Sequence, residues 1–191
     1  MTISFDIMPL RPFTQADVWP ILTGYETREI YQVKKKETDS LTRFDFLLVQ
    51  LEQPFHDDFY NDFTAEEIQT WNHLLPQGYS FGAYQAGELV GLAVGEVWPN
   101  ERRARVWEFH VHAECRRMGI GRALMERVLD RARQDHLGLV MLETQNTNVN
   151  AIRFYRRIGF SLEAIDIGHY YPTSNPVVRQ RVQFLMKRWL E

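Results

Sequence analysis

The stretch from Val111 to Ala123 places two glycines and three arginines where a predicted strand leads into a predicted helix. Gly119 and Gly121 lack a Cβ atom, so the backbone N–H groups at the start of this helix are left uncovered. Uncovered N–H groups at a helix N-terminus bind anions. The arginine side chains add positive charge, which favours a polyphosphate over a single carboxylate; they belong to Arg116, Arg117 and Arg122. The alternative interpretation is a glycine-containing turn with solvated arginines.

A second segment, residues 148–160, has the pattern of a short helix. Its apolar residues recur at i, i+3, i+4 and i+7, and Gly159 ends the pattern. These residues are Ala151, Phe154, Tyr155 and Ile158. Asn148 precedes the first of them and has the side chain of a helix N-cap. The pattern predicts a helix from Asn148 to Ile158.

Together the two segments resemble the paired signature of the GNAT superfamily of acyl-CoA-dependent N-acetyltransferases. The first half reads Arg116-x-x-Gly119-x-Gly121, and the second reads Asn148-x-x-Ala151-x-x-Phe154-Tyr155-x-x-x-Gly159-Phe160. Each half alone is a weak signal, but both in this order, about thirty residues apart, are specific. The run from Leu142 to Asn148 also resembles, more locally, the streptothricin acetyltransferase branch.

The resemblance implies that acetyl-CoA is the acyl donor and that its phosphates lie at the glycine-containing loop. It also implies that a backbone N–H near Val111 stabilises the oxyanion of the tetrahedral intermediate, and that Asn148 bonds to the cofactor or to the adjoining strand. His112 departs from the acidic or small residue often found there in the family. The expected cofactor-binding residues are Val111, Arg116, Arg117, Met118, Gly119, Ile120, Gly121, Arg122 and Asn148.

Catalysis requires a proton donor for the departing thiolate, and Tyr155 lies at the family's general-acid position. A phenol with a pKa near 10 stays protonated at neutral pH and can protonate a thiolate of pKa about 8.5 to 9. The incoming ammonium group must in turn lose a proton. We expect Glu108 to be the base, with Glu143 and His110 as alternatives. For each of these residues the competing interpretation is a structural role.

The charge of −3 is unevenly distributed along the chain. Residues 44–101 contain ten acidic residues and no Lys or Arg, whereas residues 102–191 contain sixteen basic and nine acidic ones. With the resemblance, this division predicts a basic half that binds the phosphates and an acidic half that attracts a cationic amine. The alternative is that both are ordinary solvated faces.

The acidic half includes Pro54 to Phe63, which we expect to be a loop rich in aromatic and acidic side chains. Such a loop encloses a substrate, or its rings pack beneath the surface. The candidate substrate-binding carboxylates are Asp57, Asp58 and Glu143. The expected acceptor is a primary amine of a small cationic compound, such as an antibiotic-like amine, a polyamine or a lysine-bearing peptide.

The bulk properties limit the class of protein. A chain of 191 residues that is 45% hydrophobic fits one domain. The single cysteine, Cys115, excludes an internal disulfide and suits a reducing cytoplasm. The chain has no predicted leader or membrane helix, so we expect a cytoplasmic protein. We expect no metal, nucleic-acid or membrane partner, and a homodimer is compatible with the sequence.

The remaining pattern predicts the elements that position these residues. Helices are expected from Thr14 to Leu22, from the Thr64 capping box to Leu75, and after the glycines, where Ile120, Leu124, Val128 and Ala132 form a stripe beside Met125 and Leu129. Strands are expected at residues 3–10, 30–36, 43–51, 79–85, 88–98, 105–112, 138–144, 160–167 and 179–189. A helix is the alternative for residues 43–51.

This order predicts an α+β fold: one domain, residues 1–191, forming an α/β/α sandwich around a mixed, mostly antiparallel sheet. The resemblance implies the same fold, with a splayed pair of central strands and an acyl-CoA-binding core at roughly residues 105–160. Two other classes stay open: a module of this fold that binds acyl-CoA without turnover, and a phosphate-binding regulatory domain.

Overall fold

The structure, a computed structural model, describes residues 4–57, 63–170 and 181–190. The helices and strands in these ranges are, in chain order, β1 (Asp6–Pro9), α1 (Gln15–Val18), β2 (Tyr25–Thr38), β3 (Leu41–Asp57), α2 (Ala65–Leu74), β4 (Phe81–Gln85), β5 (Glu88–Trp98), β6 (Arg103–Val111), α3 (Ile120–Gln134), β7 (Leu139–Gln145), α4 (Val149–Arg157), β8 (Ser161–Asp166) and β9 (Gln183–Trp189). None of the helices in these ranges is long and apolar enough to span a bilayer.

Seven of the strands form one sheet in the order β1-β4-β5-β6-β7-β9-β8, and β2 and β3 form a separate hairpin. β6 and β7 are parallel, whereas β1–β4, β4–β5, β5–β6 and β8–β9 are antiparallel pairs. This mixed sheet with its helices confirms the predicted α+β class.

The chain divides into two compact units. Among the described residues, the first unit holds residues 4–24, 63–142 and 188–190, and the second holds residues 25–57, 143–170 and 181–187. The expectation of a single domain stays a prediction.

Helices cover both faces of the sheet in the first unit. A Cβ atom at Gly91 of β5 would lie 3.2 Å from Ile120 and 3.3 Å from Leu124, both on α3. The neighbouring residue Leu92, with Val94, belongs instead to a buried cluster formed with residues of α1 and α2. Because successive strand residues point to opposite faces, α3 lies on one face and α1 with α2 on the other. The first unit therefore has the predicted α/β/α layers.

The predicted apolar stripe of α3 is confirmed. Its buried residues are Ile120, Leu124, Met125, Val128, Leu129 and Ala132. The polar side chains between them, among them Arg122 and Glu126, lie on the exposed side. This spacing of three and four residues is what allows one helix to be buried on one side only.

Strand β6 contains a bulge that decides which side chains face α1 and α2. Val94 of β5 is paired with Glu108, but the next residue, Gly95, is paired with Val106. Trp107 is therefore the extra residue of a β-bulge. Beyond it, Glu108 lies opposite Val94 and His110 opposite Leu92, on the face of the buried cluster.

In the second unit, the buried amide of Asn146 joins three segments. Its Nδ2 donates to the carbonyl of Tyr31 on β2 at 2.8 Å, and its Oδ1 accepts from the backbone N–H of Val182 at 2.7 Å. Its own backbone bonds to the same two residues, each at 3.0 Å. Because Asn146 is fully buried, these bonds hold β2 and the residue before β9 against the residue after β7.

The boundaries of several predicted elements were wrong. Helix α1 ends at Val18 instead of Leu22, because Pro20 has no N–H with which to continue the helical hydrogen bonds. The hairpin is confirmed, and the helical alternative for its second arm was wrong. Its second strand continues to Asp57, where it pairs with Tyr25, so the first residues of the predicted loop 54–63 are strand. Residues 58–62 lie outside the described residues.

The predictions for α4 and β9 also required correction. The buried side of α4 is formed by Val149, Ile152 and Tyr155, whereas Ala151 and Phe154 are only partly buried. The apolar stripe of α4 is therefore shifted by about one residue from the predicted stripe. β9 begins at Gln183, and residues 181 and 182 precede it without strand structure.

A glycine in β5 tests the close packing beside the bulge. A Cβ atom at buried Gly95 would lie 2.5 Å from the carbonyl oxygen of Tyr79, which is a backbone atom that cannot rotate away. We expect Gly95→Ala to lower the free energy of unfolding by about 1–3 kcal/mol, measured by denaturant titration. Gly138→Ala is the matched control, because its Cβ would lie 3.6 Å from its nearest neighbour, Arg102. Equal stability of the two variants would contradict this packing.

Candidate active site

The glycine-containing loop joins β6 to α3 in the first unit. Residues Ala113–Cys115 form one 3-10 turn, Arg117 has a positive φ of 64°, and Gly119 has a φ of 86°. Gly119 is the N-cap of α3, and a Cβ atom there would meet nothing within 4 Å. Glycine is therefore favoured at this position by its backbone conformation and not by lack of space. The first N–H groups of α3 follow directly and have no acceptor within their own helix.

Arg116 anchors this loop to the body of the first unit. Its guanidinium donates to Thr23 Oγ1 at 2.8 Å, to the carbonyl of Gly24 at 3.1 Å and to the carbonyl of Val111 at 3.2 Å. Burial lowers the pKa of Arg116 from its ordinary value. Because three protein oxygens hold its donors, Arg116 positions the loop, and its predicted contact with phosphate stays a prediction.

The other predicted cofactor-binding side chains are distributed around the loop. Arg117 and Met118 are exposed, and Ile120, the first residue of α3, is buried. Arg122 forms an exposed ion pair with Glu126 at 3.1 Å, one turn along the helix. An exposed pair of this kind contributes little and exchanges readily, so Arg122 stays available to an anion.

Glu108 and His110 contact each other on β6. His110 Nε2 lies 2.9 Å from Glu108 Oε2, and the two side chains are 13% and 22% exposed. The ring of Phe63 meets the imidazole edge to face, with 5.6 Å between centroids. The carboxylate that we predicted as the base is thus paired with the imidazole that we considered as its alternative.

Val111 and His112 complete the end of β6. Val111 is paired with Gly91 of β5, and the backbone N–H of His112 donates to the carbonyl of Val90 at 2.9 Å. His112 Nδ1 accepts from the backbone N–H of Glu114 at 3.3 Å, so its ring caps the following 3-10 turn. His112 consequently has a local structural role.

Asn148 and Tyr155 lie on or beside α4 in the second unit. The side chain of Asn148 accepts from the backbone N–H of Ala151 at 3.1 Å, so it is the predicted N-cap. Tyr155 is 6% exposed, and its ring lies beside those of Phe154 and Phe160 at 5.3 and 5.9 Å between centroids. The backbone of α4 and two neighbouring rings therefore fix the direction of the Tyr155 phenol.

Asp57 differs most from its predicted role. Its carboxylate is buried and forms an ion pair with Arg181 at 2.5 Å. The guanidinium of Arg181 also lies over the rings of Phe55 and Tyr170, at 5.3 and 5.9 Å. The expectation of a loop at position 57 was wrong, because β3 continues to this residue. Asp58 lies outside the described residues.

The same unit contains further polar groups that the sequence did not single out. The hydroxyl groups of Tyr25 and Thr147 are 2.6 Å apart. Burial raises the pKa of Tyr25, and it raises the pKa of Tyr170 to about 12. Gln183 donates from Nε2 to Glu143 at 2.5 Å. No short-range spacing connects Tyr25, Tyr170 and Gln183, so the sequence carries no pattern that could have found them.

The predicted site residues fall into two groups. Glu108, Val111 and residues 116–122 belong to the first unit, whereas Asp57, Glu143, Asn148 and Tyr155 belong to the second. Within the described ranges, no three His, Cys, Asp or Glu side chains are grouped as a metal ion would require.

The family model described as acetyltransferase (GNAT) family matches residues 46–160. The chain belongs to this family. The matched region includes both halves of the paired signature and covers more than half of the chain. The predicted membership in the GNAT superfamily is confirmed.

Curated relatives match parts of the chain. The [ribosomal protein bS18]-alanine N-acetyltransferase of Escherichia coli K12 is 31% identical over 96 residues, which are 50% of this chain and 63% of that protein. The streptothricin acetyltransferase of Streptomyces lavendulae is 35% identical over 89 residues, 47% of each chain. The chain thus spans 63% and 47% of the length of these two relatives. The local likeness to the streptothricin branch is confirmed.

Solved structures match nearly the whole chain. A nourseothricin acetyltransferase superposes with a TM-score of 0.74 and 25% identity, covering 98% of this chain and 99% of that one. A Bacillus anthracis protein solved with acetyl coenzyme A has a TM-score of 0.72, 18% identity and the same coverage, which shows a shared fold.

The cap of α4 provides a test of the local structure around the signature. Asn148→Ala removes the acceptor of the Ala151 N–H, so we expect the free energy of unfolding to fall by roughly 0.5–2 kcal/mol. The matched control is Asn150→Ala, an exposed position in the first turn of the same helix, which should change stability by less than about 0.5 kcal/mol. Denaturant unfolding measures the free energy of unfolding of both variants. A loss of stability in Asn150→Ala but not in Asn148→Ala would contradict the assignment of Asn148 as the N-cap.

Proposed function

We propose that the protein is an acetyl-CoA-dependent N-acetyltransferase that acetylates a primary amine of a small cationic acceptor. The observation that carries this proposal is the family match over residues 46–160, which spans both signature segments. The whole-chain similarity to a nourseothricin acetyltransferase supports it. So does the fold that the chain shares with a protein holding acetyl coenzyme A.

The residues of the glycine-containing loop fit the phosphates of acetyl-CoA. The first N–H groups of α3 and the helix dipole supply an anion site without a side chain. Arg117 is exposed beside it, and Arg122 is held only by an exposed ion pair. Arg116 holds the loop in place through Thr23 and backbone carbonyls. Asn148 is proposed to contribute from the start of α4.

The reaction that we propose is direct attack of the amine within a ternary complex. The amine nitrogen forms a bond to the thioester carbonyl carbon, and the oxyanion is stabilised by the backbone N–H near Val111. The carbon–sulfur bond then breaks, and Tyr155 protonates the departing thiolate. The ammonium group loses one proton before the attack, and Glu108 takes part in removing it. The amide nitrogen loses a further proton after the attack.

The acceptor class follows from charge. Ten acidic residues and no Lys or Arg lie between residues 44 and 101, so a compound with more than one amine is attracted. Streptothricin acetyltransferases among the relatives favour a small antibiotic-like amine. The ribosomal-protein relative favours a peptide amine as the second candidate, and a polyamine has the same charge. Because Arg181 neutralises Asp57, the attracting carboxylates in this proposal are Asp58, Glu143 and the exposed acids of this stretch.

Release of the CoA thiol tests the proposal. The purified chain is mixed with acetyl-CoA and with streptothricin-type compounds, polyamines or lysine-bearing peptides, and mass spectrometry identifies the acetylated product. We expect release with at least one class and no release with neutral or acidic acceptors. Stabilisation by acetyl-CoA without release from any acceptor would instead favour a non-catalytic acyl-CoA-binding module.

A substitution in the loop tests the cofactor site. Gly121→Asp adds a side chain and a negative charge beside the N–H groups, so we expect it to abolish the stabilisation by acetyl-CoA. In the wild type this stabilisation is about 2.7 kcal/mol at a ligand concentration one hundred times the dissociation constant. Thermal unfolding with and without acetyl-CoA measures it.

Gly121→Ala is the control for this variant, since it adds a methyl group without charge and should keep part of the stabilisation. An aspartate in the first turn favours the helix itself, so the ligand-free Gly121→Asp protein should stay folded. An unchanged response of Gly121→Asp to acetyl-CoA would place the phosphates elsewhere.

The phenol of Tyr155 can be tested separately from binding. Tyr155→Phe keeps the packed ring and removes the proton donor, so turnover should fall roughly 10²- to 10⁴-fold while acetyl-CoA affinity is kept. Tyr31→Phe is the matched control, because it removes another second-unit hydroxyl, one that accepts from Arg156 at 2.8 Å. Steady-state kinetics and thermal shift measure the two effects. Equal turnover of Tyr155→Phe and wild type would make Tyr155 structural.

A further inference from the structure

The outer edge of β3 differs from the two edges of the seven-stranded sheet. Those edges are blunted, because β1 has only four residues, one of them Pro9, and β8 contains a bulge between Leu162 and Ala164. β3 instead has 17 residues, and its pairing with β2 is unbroken from Leu41 to Gln50. No strand among the described residues pairs with its other side. A long open edge of this kind is a template for pairing with another chain.

The backbone of β3 presents hydrogen-bonding groups on this edge. Thr38 and Leu41 flank a two-residue turn and are paired, so they exchange backbone hydrogen bonds with each other. Hydrogen-bonded and non-hydrogen-bonded pairs alternate along an antiparallel ladder. From Leu41 onward, the odd-numbered residues of β3 therefore bond to β2, and the even-numbered residues direct their N–H and C=O groups outward. The outward residues are Thr42, Phe44, Phe46 and Leu48.

The side chains on one face of β3 are apolar at both ends and charged in the middle. Leu41 is 48% exposed and Leu47 is 47% exposed. Between them, Arg43 donates from Nη2 to Asp45 at 2.8 Å, and these side chains are 62% and 38% exposed. Lys36 of β2 is paired with Arg43, which places two like charges opposite each other. The alternating order Leu, Arg, Asp, Leu is complementary to itself when the strand direction is reversed.

We propose that the outer edge of β3 is a dimerisation surface, which pairs with β3 of a second copy in antiparallel orientation about a two-fold axis at Phe44. The two β2–β3 hairpins then form one four-stranded sheet. Arg43 of each copy lies opposite Asp45 of the other copy, and Leu41 lies opposite Leu47. This dimer does not depend on the proposed acetyl transfer.

Backbone direction and charge select this register. Two open edges can bond only where their outward groups meet, so even-numbered residues must lie opposite even-numbered ones. An axis at Arg43 would place two guanidinium groups together, and an axis at Asp45 would place two carboxylates together; like charges directly opposite destabilise a sheet. An axis at Phe44 gives every charge an opposite partner, at the non-hydrogen-bonded positions where side chains are closest. Because one segment supplies both halves of the match, a second copy is the occupant that fits.

Sedimentation velocity of the full chain tests the association. The paired segment is short, so we expect a monomer–dimer equilibrium in the micromolar range instead of a permanent dimer. The sedimentation coefficient of the wild type should rise between micromolar and submillimolar concentration and level off at the value of a dimer. Growth beyond two copies would contradict the two-fold pairing, which closes at two.

Exchanged charges test which residues meet. Arg43→Asp places carboxylates opposite each other on both sides of the axis, and Asp45→Arg does the same with guanidinium groups. Each variant alone should dimerise at least about tenfold more weakly than the wild type. An equimolar mixture of the two variants should restore the dimer, because each charge then meets its opposite on the other chain. The ion pair within one chain cannot produce this rescue, and neither can a folding defect.

The matched controls for these variants lie on α3. Arg133 and Asp130 form another exposed ion pair at 2.8 Å, so Arg133→Asp and Asp130→Arg make the same changes of charge away from β3. Both should dimerise like the wild type. Equal weakening by the control variants would assign the effect to net charge and would contradict the contact at β3.

A cysteine at the axis tests the register without adding a charge. In Phe44→Cys the two Cα atoms are expected about 5.5 Å apart, which is within the range of a disulfide. Thr42→Cys is the matched control, since its two copies would lie four positions apart along the ladder, about 14 Å. We expect oxidation to cross-link Phe44→Cys and not Thr42→Cys. Both variants keep Cys115, so any cross-linking through this thiol is common to them.

The outcomes separate this proposal from the proposed function. A wild type that stays monomeric would assign the edge to another occupant, either a further segment of this chain or a different protein, and would overturn the proposal. Unchanged dimerisation of Arg43→Asp, no rescue in the mixture, or equal cross-linking of the two cysteine variants would also overturn it. Each of these results leaves CoA release by the wild type unaffected, and a failure to release CoA would leave the dimer unaffected.

Discussion

The guanidinium of Arg116 is the interaction on which the arrangement of the first unit depends. It joins the last carbonyl of β6 to Thr23 and Gly24, which follow α1, and so fixes the loop between β6 and α3. This loop must turn through a residue of positive φ at Arg117 and another at Gly119 before the helix can begin. A non-glycine residue in this conformation is strained, and the strain persists only where neighbouring contacts determine the loop. The anchoring fixes the position of the first N–H groups of α3, which the proposed function assigns to the phosphates of acetyl-CoA.

Strand β6, which precedes this loop, both forms part of the sheet and carries Glu108 and His110. Its first residues, Arg103–Val106, pair with β7 as an ordinary parallel ladder, and the bulge at Trp107 follows immediately. The bulge reverses the alternation of side chains along β6, so that Glu108 and His110 point to the face of the buried cluster while the pairing with β5 continues. Bulges are frequent beside active sites because one extra residue redirects the side chains that follow it.

In the second unit, a tertiary contact gives Asp57 surroundings that the sequence does not predict. In the sequence, Asp57 belongs to an acidic and aromatic stretch and is a natural candidate for binding an ammonium group. In the structure it is buried against Arg181, more than a hundred positions along the chain, whose guanidinium also lies over two aromatic rings. A buried carboxylate requires a cation, and here the protein provides its own. In the proposed function, the other acidic residues of this stretch attract the acceptor.

The sequence by itself determined the elements whose periodicity is strong and the loop whose conformation only glycine adopts easily. The stripe of α3, the cap of α4 at Asn148 and the family membership followed from spacing, because one helix turn or one cap is a local property of the chain. The end of β3 at Asp57, the ion pair of Asp57 with Arg181 and the anchoring of Arg116 were decided only by tertiary structure. Each depends on a partner strand or on a residue distant in sequence, and neither propensity nor spacing carries information about such partners.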